Sequence, residues 1–274
     1  MTSRVGIATT ATRIASAHRD IRNALGTPTD LAAIDVAGRA PEAIASARRF
    51  WRARMEAEHR SVQVFVQLAL QLVEANATLD AKTVVLRMAT DELLHTEICG
   101  RVLEVLGADP CIEQDVTVRP IAAHAGCSLE ERALRNVIYT TCLSEMIAVA
   151  RLADSLELAT DPGARSAIRA ILADEVMHGQ FGFLYLDAVA PTDEIREDLG
   201  QYLVHAFAIL EEELAPRGRS HGPDPHADAV ALGVIVPRRA YDVFHGTIAS
   251  AIVPGLEARG VPAARAWRDR QRLV

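Results

Sequence analysis

Two short stretches of this sequence match each other: Asp91-Glu92-Leu93-Leu94-His95 and Asp174-Glu175-Val176-Met177-His178, each inside a long run of helical character. Residues three apart share a helix face, so each Glu and its His can hold one metal ion between them. A single E-x-x-H arises by chance in a chain of this length; two copies, each preceded by Asp, constrain the fold. A further Glu stands upstream of each motif, Glu58 lying 34 residues before Glu92 and Glu145 lying 30 before Glu175. If each pair sits at one height on antiparallel helices, turns must fall near residues 75 and 160. Turn and helix-start residues occur there, in Ala75-Asn76-Ala77-Thr78 and Ala159-Thr160-Asp161-Pro162-Gly163.

Two helical hairpins therefore each bring one Glu opposite one E-x-x-H. Packed together they form a four-helix bundle with the di-metal carboxylate pattern, one Glu from each of two helices and E-x-x-H from each of the others. The copies are offset by 83 residues at the motif and by 87 at the lone Glu. That difference is close to one helical turn, so the ligands still face inward and a pseudo-twofold site follows.

The helix patterns agree. From Pro41 to about Ala75, Trp51, Met55, Val62, Phe65 and Ala69 share a face with Glu58, the one polar residue on that stripe. Glu56 points the other way, and His59 is read as a surface residue or a neighbour of the ligands. The second helix, about Thr78 to Leu106, ends at Gly107 and lines Val85, Met88, Ala89 and Cys99 up with Glu92 and His95. Residues 108–127 lack periodicity and suit the long crossover between helices 2 and 3. Ser128-Leu129-Glu130-Glu131 is a capping box opening the third helix, whose inner face carries Ile138, Thr141, Cys142, Glu145, Val149 and Leu152. Asp161-Pro162 opens the fourth, with Ile168, Ile171, Leu172, Glu175, His178 and Gly182 aligned.

The expected organisation is an arm or short helix over 1–40, the bundle over 41–190, and C-terminal helices over 191–274 packed on it in the same domain. Residues 215–228 read as an exposed loop whose His221 and His226 reflect loop polarity, and Pro254 should kink or split a helix starting at Pro237. With 50% hydrophobic residues among 274, the chain can bury one sizeable core. A net charge of -7 argues against nucleic acid or an anionic membrane as partner. Cys99, Cys111, Cys127 and Cys142 include no C-x-x-C pair, so a reducing cytoplasm is the expected location. The opening residues lack the continuous apolar run of a secretory signal, and no apolar stretch reaches membrane-spanning length.

The chemistry follows from charge. Two divalent ions are balanced by four carboxylates, and two neutral imidazoles complete a site suited to iron or manganese. Without a cation, four carboxylates converging in an apolar interior repel one another and suffer desolvation. A metal-bound His donates its free ring N–H to a carboxylate, and the twofold pattern pairs Asp91 with His178 and Asp174 with His95.

Over about residues 45–190 the chain resembles the ferritin-like di-iron carboxylate superfamily. Glu58-His59-Arg60-Ser61-Val62, Asp91 to His95, Ser144-Glu145 and Asp174 to His178 carry the resemblance. It implies catalytic metal ligands at Glu58, Glu92, His95, Glu145, Glu175 and His178, two irons (manganese or a mixed manganese–iron pair as alternative), and O₂ activation. Departures narrow the branch. Cys99 stands where the ribonucleotide reductase small subunit has its radical tyrosine. Ile171 replaces the extra histidine of the arylamine N-oxygenases, and Val149 the threonine of the multicomponent hydroxylases. The cysteine pairs of rubrerythrins are missing. The expectation is an oxidase or oxygenase acting with O₂ on a small, largely apolar organic substrate, with an external electron donor and compatible with a homodimer. The alternative is a ferroxidase, iron-storage or peroxide-scavenging protein.

Overall fold

The computed structural model describes residues 2–7, 13–215 and 223–272. Helix accounts for 75% of the chain, which makes it essentially all-helical. Strand β1 (Thr2–Gly6) and helix α1 (Arg13–Leu25) come first. Helices α2 (Pro41–Glu74) and α3 (Leu79–Val105) form the first hairpin. Strand β2 (Cys111–Asp115) lies in the crossover. The second hairpin is α4 (Leu129–Val137), a π-helical segment (Ile138–Glu145), α5 (Met146–Leu158) and α6 (Pro162–Val189). The chain continues through α7 (Asp193–Leu214), α8 (Ala227–Ala231), α9 (Pro237–Thr247), a second π segment (Ile248–Ile252), α10 (Val253–Glu257) and α11 (Ala263–Asp269).

Local chemistry sets the helix ends. Asn76, in the left-handed region at φ 48°, stops α2, where the Ala77 and Asn76 amides donate to the Leu72 and Val73 carbonyls. Thr78 then caps α3 by accepting from the Ala81 amide. Ser128 and Glu131 make both bonds of the capping box, and Asp161 caps α6. The π segment ahead of Pro254 absorbs the expected break in the C-terminal helix.

The apolar core has two clusters with the motif residues between them. Along α2, Trp51 and Met55 belong to one cluster and Phe65 and Leu68 to the other, and Glu58 falls in the gap. Along α6, Ile171 and Phe181 flank Glu175 and His178 in the same way. The larger cluster also takes in Leu203, Phe207, Phe244 and Ala266, so the C-terminal helices share its core. Buried Arg270 pairs with Glu211 at 2.8 Å in that region. No described helix is long and apolar enough to cross a membrane.

The sequence pattern differs from the structure in four places. The N-terminal arm and the crossover contain strands, paired antiparallel from Thr2 with Asp115 to Gly6 with Cys111. Five-residue strands are too short for a period-two signal to stand out. The third helix of the bundle pattern is interrupted by the π segment, a local widening that leaves no compositional mark. Within the 215–228 loop, α8 begins at Ala227 and buries Ala229; residues 216–222, including His221, lie outside the described residues. His226 caps α8 by accepting from the Asp228 amide.

Candidate metal centre

The motif residues meet from four helical segments: Glu58 on α2, Asp91, Glu92 and His95 on α3, Glu145 at the end of the first π segment, and Asp174, Glu175 and His178 on α6. None of the four glutamates or two histidines is more than 8% exposed. They fall into two groups that could each hold a metal ion, Glu58, Glu92, His95 and Glu175 in one, and Glu145, Glu175 and His178 in the other. In each group one ligand atom per residue lies within 4.8 Å of all the others. Glu175 joins the groups: Oε1 is 3.4 Å from His95 Nδ1, and Oε2 is 3.2 Å from His178 Nδ1. Glu58 Oε2 lies 3.5 Å from His95 Nδ1, and Glu92 Oε1 lies 3.3 Å from His178 Nδ1.

These close approaches lack hydrogen-bond geometry. Both Nδ1 atoms, Glu92 Oε1 and Glu175 Oε2 are buried without a hydrogen-bond partner. Each such atom costs about 1–3 kcal/mol in lost solvation. Four of them facing one another, all oxygen or imidazole nitrogen, form a donor set that fits a divalent cation.

The outer ring nitrogens are held from across the hairpins. His95 Nε2 lies 3.3 Å from Asp174 Oδ2, and His178 Nε2 lies 3.4 Å from Asp91 Oδ2. A carboxylate beside Nε2 keeps the proton there and leaves Nδ1 free for a metal. One side chain ties the two aspartates together: Arg87 Nε donates to Asp91 Oδ1 at 2.5 Å, and its Nη2 is 3.7 Å from Asp174 Oδ1. The same guanidinium donates to the Leu25 carbonyl at the end of α1.

Electrostatics separates the carboxylates. Burial pushes Glu92 and Glu145 well above the ordinary carboxylate range, and the charge of Glu175 adds to this at both. Burial also opposes ionisation of Glu175, but the facing imidazoles of His178 and His95 outweigh it and hold the group well below that range. At Glu58 burial is outweighed by His95 and the Arg54 guanidinium, which lower its pKa. Burial alone would lower His178, yet Asp91, Glu175 and Glu92 push it up to about 12. His95 is raised well above its usual value by Asp174, Glu175 and Glu58, again against burial. In the absence of metal, protons take the place of cations.

Close helix contact makes this possible. A Cβ at Gly182 would lie 2.3 Å from Thr141 Oγ1 and 2.4 Å from Cys142 Sγ, and one at Gly179 would lie 2.9 Å from Met146 Sδ. Only glycine lets α6 approach the π segment closely enough to bring Glu145 to Glu175.

Two cavities adjoin the centre. One, of about 290 Å³, is lined by Glu58, Glu92, Glu145 and Glu175 together with Arg54 and Arg151. The other, of about 360 Å³, is lined mainly by apolar and aromatic side chains, among them Val64, Phe65, Ile121, Tyr139, Ala206 and Ile209. Ser61, Ser144 and Glu145 belong to both walls. The helix pattern marks Val62, Ile138, Val149 and Ile171 as an apolar wall, but none of them lines either cavity. Ile138 and Ile171 are packed in the core, and the apolar cavity opens toward the crossover and α7 instead. His59 stands outside the cluster, its Nδ1 2.6 Å from Gln114 Oε1 on β2.

Arg54, Arg87 and Arg151 are absent from the motif reading. The first two carried a signal, since each stands four residues before an acidic motif residue, Glu58 or Asp91, at the spacing of a helical ion pair. No family model matches the chain, and the search of curated proteins found no match either.

Proposed function

We propose that the chain is a ferritin-like di-iron oxidase or oxygenase that activates O₂ and acts on a small, largely apolar organic substrate. The observation that carries this reading is the set of four buried, unpartnered ligand atoms on Glu92, His95, Glu175 and His178. Glu58, Glu92, His95 and Glu175 would hold one ion, and Glu145, Glu175 and His178 the other. Such a pair, when bound, supplies electrons and a Lewis-acidic surface for reducing O₂.

The protein's own groups do the rest. Glu175 directs one oxygen toward His95 and the other toward His178, so it would serve both halves. Asp174 and Asp91 hold the protons on the outer nitrogens of His95 and His178. The Phe65 ring packs 5.5 Å from the His178 ring and also lines the apolar cavity, so it would keep water from that side of the imidazole. Glu145 reaches both cavities, so a substrate in the apolar one lies beside a ligand whose carboxylate can accept or return a proton.

The test is anaerobic Fe(II) titration followed by O₂, counting bound and oxidised iron per chain. Saturation near two irons with a transient oxidised absorption band is expected. Uptake far beyond that number would move the assignment to ferroxidase or storage. Absence of any reaction with O₂ would remove the oxidase reading.

A further inference from the structure

The cavity on the carboxylate side of the centre also holds two arginines, Arg54 and Arg151. Arg54 Nη1 donates to Glu58 Oε1 at 2.9 Å. Arg151, on α5, donates from Nη2 to the Leu214 carbonyl at 2.8 Å, and its Nε is buried without a partner. Among the described residues no carboxylate forms an ion pair with it. Arg54 and Arg151 line the same cavity, close enough for the charge of Arg54 to be felt at Arg151, and among the described residues Glu58 is the one carboxylate ion-paired to either of them. In a loaded centre the charge of Glu58 would be shared between Arg54 at Oε1 and the metal side at Oε2, so Arg151 is the cation left without a carboxylate of its own.

Away from the glutamates of the centre and the two serines, the wall is apolar, with Phe50, Ile147, Ala148, Leu214 and Ile235. At Ser61 and Ser144 this cavity meets the larger, apolar one. Two arginines at one end and a largely apolar chamber at the other match a molecule with one anionic end. A planar carboxylate can take a hydrogen bond from each of two guanidiniums, whereas an alcohol or amine leaves their charge uncompensated.

We propose that Arg151, together with Arg54, anchors the carboxylate of an organic acid substrate whose hydrocarbon body passes Ser61 and Ser144 into the apolar cavity. The inference rests on the di-metal oxidase reading and adds the substrate class to it. Arg151 acts on the substrate's acid group, while Glu145 stands beside the body where the two cavities meet.

The test uses octanoate, octan-1-ol and octyl phosphate as probes in calorimetric titrations of the full chain, metal-free and loaded with redox-inert Zn(II). Octanoate should bind the loaded protein roughly tenfold or more tightly than octan-1-ol. Arg151→Gln should abolish that preference without changing octan-1-ol affinity or Zn(II) stoichiometry, and Arg151→Lys should restore part of it. Equal binding of acid and alcohol by the wild type overturns the proposal even if the Gln variant fails to fold. So does undiminished octanoate binding by the Gln variant, a wild-type preference for octyl phosphate over octanoate, or no binding of any probe to protein that takes up two Zn(II). These results leave the metal reading intact. Failure of the wild type to take up Zn(II) overturns that reading and the inference together.

Discussion

The two halves of the centre carry the same ligand types and treat them differently. In the first, Glu58 sits on an uninterrupted α-helix and is neutralised by Arg54 one turn away. In the second, Glu145 ends a π segment, has no ion-pair partner among the described residues, and is pushed well above the ordinary range by burial. It is also the one motif residue that lines both cavities. In the first half His95 and Arg54 hold the lone Glu58 ionised, although burial pushes its Glu92 up; in the second the lone Glu145 is pushed up by burial and lines both cavities. Symmetry of ligand identity therefore coexists with asymmetry of charge, and the second half is the working side of the proposed enzyme.

The strongest way to break this comparison is to remove the residue the halves share. Glu175→Ala should abolish uptake at both positions, whereas Glu58→Ala or Glu145→Ala should leave about one ion per chain, as counted by equilibrium titration. If Glu175→Ala retains one ion, the shared geometry is wrong. Next in size is Arg54→Gln. Leaving Glu58 buried without its cation should destabilise the metal-free protein by roughly 3 kcal/mol, with a smaller loss once metal takes over the charge, measured by urea unfolding in both states.

A smaller effect separates the aspartates. Asp91→Asn and Asp174→Asn should each weaken metal affinity about 10- to 100-fold. Asp91 should have the larger effect, because its side chain is 5% exposed against 18% for Asp174. The finest test is proton release. His95, His178, Glu92 and Glu145 all have raised pKa values, so near neutrality the metal-free centre holds protons that a cation must displace. Metal binding should thus release protons and tighten as pH rises. Calorimetry in buffers of different ionisation heat would detect the release, and pH-independent binding would contradict it.

Much of this was legible in the sequence because it depends on helical period. The hairpin turns, the caps at Thr78, Ser128 and Asp161 and the inward face of each motif residue follow from spacing and local hydrogen bonding, as does the crossed placement of Asp91 and Asp174. What was hidden depends on where helices touch. The π segment follows from how α6 packs through Gly179 and Gly182, and glycine in a helix has many meanings. The apolar cavity is built by Ile121 of the crossover and Ala206 and Ile209 of α7, which share no pattern with the motif helices. Arg151 was invisible because its proposed role rests on having no acidic partner among the described residues, which only three dimensions reveal.

The pairing of β1 with β2 also has a consequence in time. The strand formed by residues 2–6 is synthesised before the first hairpin, and its partner at 111–115 only after that whole hairpin. An isolated two-stranded ribbon is marginal in water, so β1 gains its structure only after α2 and α3 have set the position of the crossover. A segment that precedes the first hairpin in the chain thus settles after it, and the hairpin must form without it.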